Sequence, residues 1–270
     1  MANTIDQSFI TQFNTEVKLA YATGSLLMPH VRKHENVVGS ADRFQKLGGV
    51  VANTKSRAAA LTILEAAHTY VDVTLVDSYV PLMIDSLDNF KTNVDTQREY
   101  SKTIANALGV ICDRVIVAAA TAGTNTTTTT AGGLTFQKLR EVIKYFINNK
   151  VPTKDRVIVV GGTELSAMLD EPKLTSADYV SIQALMKGEI NQAMGLTWVV
   201  MPDDMIPMAS TTASCFAYAK DALGVSVGQN PTTRIDYSPI HAADILLGSL
   251  SMGAAIIESA GIIEIPCVRA

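Results

Sequence analysis

The chain has 270 residues, 47% of them apolar and 18% charged, with 22 basic against 26 acidic side chains and a net charge of −4. That apolar share rules out bulk disorder, and the slight acidic excess argues against a dedicated nucleic-acid binder, which needs a basic face. The three cysteines, Cys112, Cys215 and Cys267, lie far apart without a C-x-x-C pair. They argue against a zinc ribbon, an iron–sulfur cluster or a disulfide-stapled scaffold, and for inert thiols in a reducing compartment.

The opening MANTIDQSFITQF lacks the cationic start and apolar run of a secretory signal. Phe9–Leu27 carries Phe9, Phe13, Val17, Leu19 and Ala20 at helical spacing, and Pro29 ends the pattern. Residues 1–35 therefore read as an arm and not as the start of a compact core. Residues 36–79 read as β. Asn36–Leu47 has apolar residues without a helical period, and Gly48–Gly49 punctuates the chain. Tyr70–Asp77 alternates Val71, Val73 and Leu75 with Asp72 and Thr74. The intervening VANTKSRAAA is expected to form the basic tip of a long antiparallel hairpin, with Lys55 and Arg57. Two strands alone are marginally stable, so the hairpin needs a partner surface in its own chain or in another.

Tyr79–Ile84 is expected as a short strand. Thr96 and Glu99 form a T-x-x-E capping pattern, and Tyr100, Ile104, Ala107, Leu108, Ile111 and Val115 recur at steps of three and four. This predicts a helix over 97–120, about 36 Å long, which would act as a spine. TAGTNTTTTTAGG, residues 121–133, reads as a flexible loop. Leu134–Asn149 returns to helix, stopped by Pro152. RVIVVGG predicts a buried strand and a turn, followed by short helices over Thr163–Leu169 and Thr175–Met186. Strands are expected at Leu196–Met201, Cys215–Ala219, Gly224–Val227 and Thr233–Tyr237. The chain closes on two β runs, Ala243–Ile257 and Gly261–Val268. Ile245–Ile257 is the nearest approach to a membrane span, but a span needs about 18–20 apolar residues, so a buried strand and no membrane contact are expected.

No catalytic constellation stands out in this α+β chain. Gly161 and Gly162 follow a strand as in a dinucleotide turn, but position 163 is Thr and position 166 is Ser, so G-x-G-x-x-G fails and no cofactor is expected. His30, His34 and Glu35 have a metal-ligand spacing that only a helix would converge, and Pro29 argues for an extended segment instead. His68 and His241 stand alone. Asp203–Asp204 sits in a proline-flanked loop and reads as a solvated turn. Asp85, Asp88, Lys91, Asp95, Arg98, Glu99 and Lys102 alternate in sign, as on a salt-bridged face.

An arm, an unsupported hairpin and a spine helix imply contacts supplied by neighbouring subunits, and heterologous contacts of that kind build closed rings or shells. The residues also resemble a known family. MANTIDQSFITQFNTEVKLAY, NVVGSADRFQKLG, DNFKTNVDTQREYSKTIANALGVICD, LTWVVMPDDMIP and HAADILLGSLSMGAAIIESAGIIEIPC (241–267) resemble, in that order, the major capsid proteins of tailed bacteriophages with the Hong Kong 97-type fold. The resemblance implies an N-terminal arm (1–35), an extended loop over the adjacent subunit (36–79) and a peripheral domain with the spine helix (80–154). It further implies an axial domain (155–240) and returning C-terminal strands (241–270).

The same resemblance implies a non-enzymatic protein without cofactors, which assembles with itself as pentamers and hexamers around packaged double-stranded DNA. That DNA would be touched only weakly, with Arg32 and Lys33 expected to meet either DNA or a scaffold. A separate scaffolding protein and a portal are expected partners, with assembly in the host cytoplasm. Contacts between subunits are expected at Arg32, Arg43, Phe44, Lys46, Lys55 and Arg57, the last two meeting a neighbour's acidic face at Asp85, Asp88 and Glu99. A cellular shell of the same fold and a nucleotide-dependent enzyme on 155–201 are the alternatives.

Overall fold

A computed structural model of the chain describes residues 24–50, 52–58, 60, 63–85, 96–128, 132–169, 192–241 and 243–269. The helices expected over most of Phe9–Leu27 and over Thr175–Met186 lie outside them, as do Asp88, Lys91 and Asp95. In chain order the strands are β1 (Arg32–Glu35), β2 (Ala41–Leu47), β3 (His68–Thr74) and β4 (Val76–Asp85). Helices α1 (Thr96–Thr121) and α2 (Phe136–Asn148) follow. Then come β5 (Arg156–Gly161), α3 (Gly162–Leu169), β6 (Gln192–Ala193), β7 (Leu196–Met201), β8 (Met208–Ala209) and β9 (Thr212–Ala219). The chain ends with β10 (Leu223–Ser238), β11 (Ala243–Ile256) and β12 (Ile262–Val268).

Helix α1 covers the stretch over 97–120 for which the periodicity predicts a helix. Ile104, Ala105, Leu108, Cys112, Ile116, Val117 and Ala120 recur on one side and are buried. That side packs on a four-stranded sheet ordered β1-β10-β11-β4. Strand β1 runs parallel to β10, and the other pairs are antiparallel. Glu99–Thr121 is long and apolar enough to cross a membrane by composition. Half of its apolar segment is covered by the sheet and the arm root, which accounts for that composition in a packed core. Strand β4 alternates as a half-buried strand must: Val80, Leu82 and Ile84 pack against the core, whereas Tyr79 and Met83 are exposed.

A six-stranded sheet forms the second lobe, in the order β12-β9-β5-β7-β6, with β8 paired to β9. Strand β5 is buried at every position, and it runs parallel to β7 and antiparallel to β9. The threonine loop shields the outer edge of β12. The Thr127 N–H donates to the Glu264 carbonyl at 3.0 Å, the Glu264 N–H to the Asn125 carbonyl at 2.7 Å, and the Val268 N–H to the Gly132 carbonyl at 2.9 Å. An edge left bare would invite pairing with another chain.

Two departures from expectation concern β10. Gly224–Val227 and Thr233–Tyr237 are not separate strands but parts of one strand of 16 residues. Register shifts at Val227/Gln229 and Gln229/Thr232 absorb the irregularity, with Pro231 inside it, where a missing N–H costs least. The strand also pairs in the spine-helix sheet, so residues 155–240 divide between the two sheets after Ala219.

Candidate assembly surface

Strands β2 and β3 form the hairpin, with a ladder from Ala41↔Thr74 to Leu47↔His68. The ladder is shorter than the sequence suggests: residues 52–58, 60 and 63–67 carry no strand. Alternation on β2 turns Asp42, Phe44 and Lys46 toward the chain's own sheet and Arg43 and Leu47 away from it. Phe44 is fully buried with Val73 and Ile257, in a small core separate from the main one. The His34 ring stacks on it at 4.1 Å, and the Arg32 guanidinium lies 5.5 Å from its centroid. Gly253 of β11 is part of this seam. A Cβ there would fall on the Thr74 carbonyl and the Val73 side chain, so only glycine lets the hairpin lie so close.

Polar contacts lock the same root. Asp42 accepts the Ser226 hydroxyl at 2.6 Å and faces His34 Nδ1 at 2.9 Å, joining β2 to β10 and β1. Lys46 Nζ pairs with Glu258 at 2.7 Å. Arg43 grips its cross-strand partner Asp72 through Nε and one terminal nitrogen, at 2.7 and 3.3 Å, and lies over the Tyr70 ring. Arg32, Arg43, Phe44 and Lys46, expected between subunits, are thus engaged inside the chain. The strand's period of two puts Phe44 and Lys46 on the inward face with Asp42, while Arg43 stays on the outward face beside Asp72 and Arg32 reaches Phe44 from β1.

Burial pushes the Asp42 carboxyl up, but hydrogen bonds from Ser226, the Arg43 backbone and His34 outweigh it, and the group titrates below the ordinary 3.8. A lowered folded value means the latch contributes its full stability above about pH 4 and loses it as pH falls through that value. Amide exchange across β2 and β3 is expected to accelerate below pH 4 relative to α1, and Asp42→Asn is expected to show the faster exchange already at pH 7. Equal acid sensitivity of hairpin and helix would contradict the latch.

Beyond the root the described residues of the hairpin are mostly exposed. Leu47, Val50, Ile63, Leu64 and Tyr70 are exposed, Ile63 at 84%. Lys55 and Arg57 are exposed among them. Glu99 is exposed on α1 beside Lys102, at 3.4 Å. Asp85 ends β4 opposite Ala243.

The Gly161–Gly162 turn at the start of α3 is filled by side chains. A Cβ at Gly161 would collide with the side chains of Glu164, Asp203 and Arg269. The Asp203 carboxylate accepts the Thr163 hydroxyl at 2.6 Å and the Thr163 N–H at 3.2 Å, at the start of α3 where a phosphate would sit. Those Thr163 contacts, with lesser help from Arg269, hold the Asp203 carboxyl below the usual range despite partial burial. Arg269 binds Glu164 through two bonds of 2.7 and 3.0 Å. Asp203 is therefore a structural cap and not the solvated turn expected. His30 closes a 3-10 turn over Met28–His30 and His34 lies within β1, and no metal-binding cluster occurs among the described residues.

The family model for phage capsid proteins matches residues 5–269. The chain belongs to the phage capsid protein family. Solved capsids share its fold across most of their length. The cyanophage P-SCSP1u capsid aligns with a TM-score of 0.69 at 16% identity, covering 89% of this chain and 87% of that one. Mycobacterium phage Che8 gives 0.67 at 18%, covering 84% of each. The virus-like particle from Pyrococcus furiosus gives 0.60 at 11%, covering 95% and 99%. No curated protein matches the chain by sequence. As a phage capsid protein it is a structural, shell-forming component and not an enzyme, in keeping with the filled Gly161–Gly162 turn.

Sequence reading passed over two residues of this capsid protein. Asp113 is buried on α1 and accepts the Ser25 hydroxyl at 2.6 Å and the N–H groups of Leu26 and Leu27 at 3.0 and 3.1 Å. Lys138 is buried on α2, and its Nζ donates to the Gly132 and Pro266 carbonyls at 2.9 and 2.7 Å. The signal for each was a charged residue at an inward position of its helix period.

Proposed function

We propose that many copies of this chain close into an icosahedral shell around packaged double-stranded DNA, built from pentamers and hexamers. The observation that carries this is the hairpin. It is firmly rooted by Phe44, Asp42 and Lys46, yet the described residues of its apolar and basic tip are exposed. Large apolar side chains on an extended element mark a surface completed by a partner. The family makes that partner another copy. In this scheme residues 1–35 are the arm and 36–79 the loop that reaches over an adjacent subunit. Helix α1 and its sheet form the peripheral domain, and the six-stranded sheet forms the axial domain. Assembly takes place in the host cytoplasm, with a separate scaffolding protein and a portal as partners. A net charge of −4 suits a wall that confines DNA without gripping its phosphates.

Lys55 and Arg57 would face a neighbour's acids around Asp85, Asp88 and Glu99. A single exposed pair is worth only about 0–1 kcal/mol, but the contact repeats in every subunit. Arg57→Glu is expected to lower shell yield several-fold while leaving the helix content of the free subunit unchanged. Normal shell yield from this variant would remove the tip from the interface. A second reading, a cellular shell of this fold holding cargo other than DNA, draws on the likeness to the Pyrococcus furiosus particle. Nuclease-protected double-stranded DNA in purified particles would support the first; protein cargo without nucleic acid would support the second.

A further inference from the structure

The two faces of the four-stranded sheet are marked by glycines of β11. A Cβ at Gly248 would meet Ile104 and Leu108 of α1, so that side carries the helix. Gly253 lies on the opposite side by alternation, and a Cβ there would meet Val73 and the Thr74 carbonyl of the hairpin. The outward positions that meet the hairpin are small: Gly224 lies under Phe44, Ser226 binds Asp42, Gly228 lies under Leu75, and Ala255 flanks Phe44. Farther along the same face they become large. Met83 stands opposite Ile245, Pro81 opposite Leu247 and Tyr79 opposite Ser249. Tyr79, Pro81 and Met83 are exposed, Ile245 and Leu247 are half-buried, and none of the five belongs to either core cluster of the described residues. One face thus has a covered end, shaped for close backbone approach, and an apolar shelf beyond it. Exposed Asp77 and Asp236 flank the shelf, against one exposed base, Arg234. The chain's own tip points elsewhere. Thr74 meets Gly253, whereas Lys46 pairs with Glu258, so the hairpin runs from 253 toward 258 and away from the shelf at 245–249.

We infer that this shelf receives the hairpin tip of a second copy, and receives it only in a copy whose own hairpin is seated. The inference rests on the shell reading above. The tip complements the shelf in two ways. Exposed Val50, Ile63 and Leu64 match its apolar floor, and Lys55 and Arg57, against Glu65, match its acidic flanks. The dependence on seating comes from the border of the shelf. There Leu75 lies over Gly228 and donates its N–H to the Ser40 carbonyl at 3.0 Å, so the seated hairpin stands as a wall beside the floor. The receiving site is a corner, with a sheet for its floor and the receiver's own hairpin for its wall. Releasing Phe44 from its seat removes the wall and leaves the floor without its border. A copy therefore presents its tip and completes its shelf in one event. The contact is head-to-tail, the kind that closes into rings, and the coupling keeps a copy with a loose hairpin from being built into a growing ring.

The test uses two full-length chains with one added cysteine each, Leu64→Cys on the tip and Leu247→Cys on the shelf; the natural cysteines are all buried. The two are assembled together and treated with a bismaleimide. The expected product is a cross-linked dimer whose digest joins position 64 of one chain to position 247 of the other, absent when either chain is used alone. Phe44→Ala is then added to the Leu247→Cys chain only, which is assembled with an excess of the Leu64→Cys chain, whose tip and seat are intact. The link per incorporated copy is expected to fall several-fold. Asp42→Asn, which loosens the same seat without emptying it, is expected to lower the link less. Particles of normal form without a 64–247 link would overturn the landing place. A link at full yield onto both seat variants would overturn the dependence on seating. Absence of rings and shells from the unmodified chain, with the proposed scaffolding protein supplied, would instead remove the shell reading itself and the inference with it.

Discussion

Replacing Asp113 with alanine is expected to cost the fold about 3–4 kcal/mol, the largest effect of any single polar substitution among the residues described above. The carboxylate is 2% exposed and is the common acceptor for three donors of the segment that leads out of the arm: the Ser25 hydroxyl and the N–H groups of Leu26 and Leu27. Removing it leaves the buried Ser25 hydroxyl and Leu27 N–H without their partner, at about 1–3 kcal/mol for each group left wholly unsatisfied, while Leu26 is partly exposed to water. Leu27 is itself fully buried, so the segment cannot swing into solvent to recover hydrogen bonds without exposing apolar surface. Asp113→Asn keeps one oxygen acceptor and is expected to lose roughly half as much. Urea unfolding monitored by the far-ultraviolet signal of α1 measures both. A loss under about 1 kcal/mol for the alanine variant would show that the arm root is held by packing alone.

Phe44→Ala is expected to release the hairpin from its seat without unfolding the body. Phe44 fills the centre of a core that contains only Val73, Ile257 and the flanking Ala255, apart from the main cluster. Deleting a buried phenyl ring costs about 3–5 kcal/mol. Among the described residues the hairpin meets the body through this seam and the Asp42 and Lys46 contacts, so the cost falls on local opening. Amide exchange of β2 and β3 should rise about 100-fold or more, tenfold for each 1.4 kcal/mol, while α1 exchange stays put. Gly253→Val approaches the same seam from the other side: its side chain has no space beneath the Thr74 carbonyl, and the same strands should lose protection. Both variants are expected to assemble poorly, since a hairpin that wanders cannot be aimed at a neighbour. Unchanged protection of β2 and β3 in both variants would show that something other than this seam seats the hairpin.

Much of the fold was legible wherever one period ruled a segment. The steps of three and four from Tyr100 to Val115 predicted α1 nearly to its ends, because one face of that helix meets one continuous sheet. Leu196–Met201 was placed to the residue, since a buried strand bounded by Gly195 and Pro202 leaves little choice. Strand β10 was harder. Gly228, Asn230 and Pro231 read locally as a break, and only the partner strand β11, bridging two register shifts, keeps the chain extended through them. Local punctuation lost to tertiary pairing there.

The candidate site was legible in part. The hairpin and its basic tip could be read from alternation and glycine punctuation. That Phe44, Lys46 and Arg32 face inward could not, because the neighbours that decide the matter, Glu258, Ile257 and Ser226, lie far along the chain. Asp203 was hidden for the same reason: its partners Thr163 and Arg269 are 40 and 66 positions away. Asp113 and Lys138 carried a readable signal, a charge on the buried face of a helix, which calls for a named partner even when sequence alone does not supply one.

Shell formation is tested most directly by negative-stain electron microscopy of the purified full-length chain, with sedimentation of the same sample, alone and with the scaffolding protein proposed as its partner. Closed shells, or pentameric and hexameric rings that close when scaffold is supplied, are the expected result. A small species of one sharp sedimentation coefficient that stays small with scaffold present, and gains thermal stability from a nucleotide, would contradict assembly as the function of this protein.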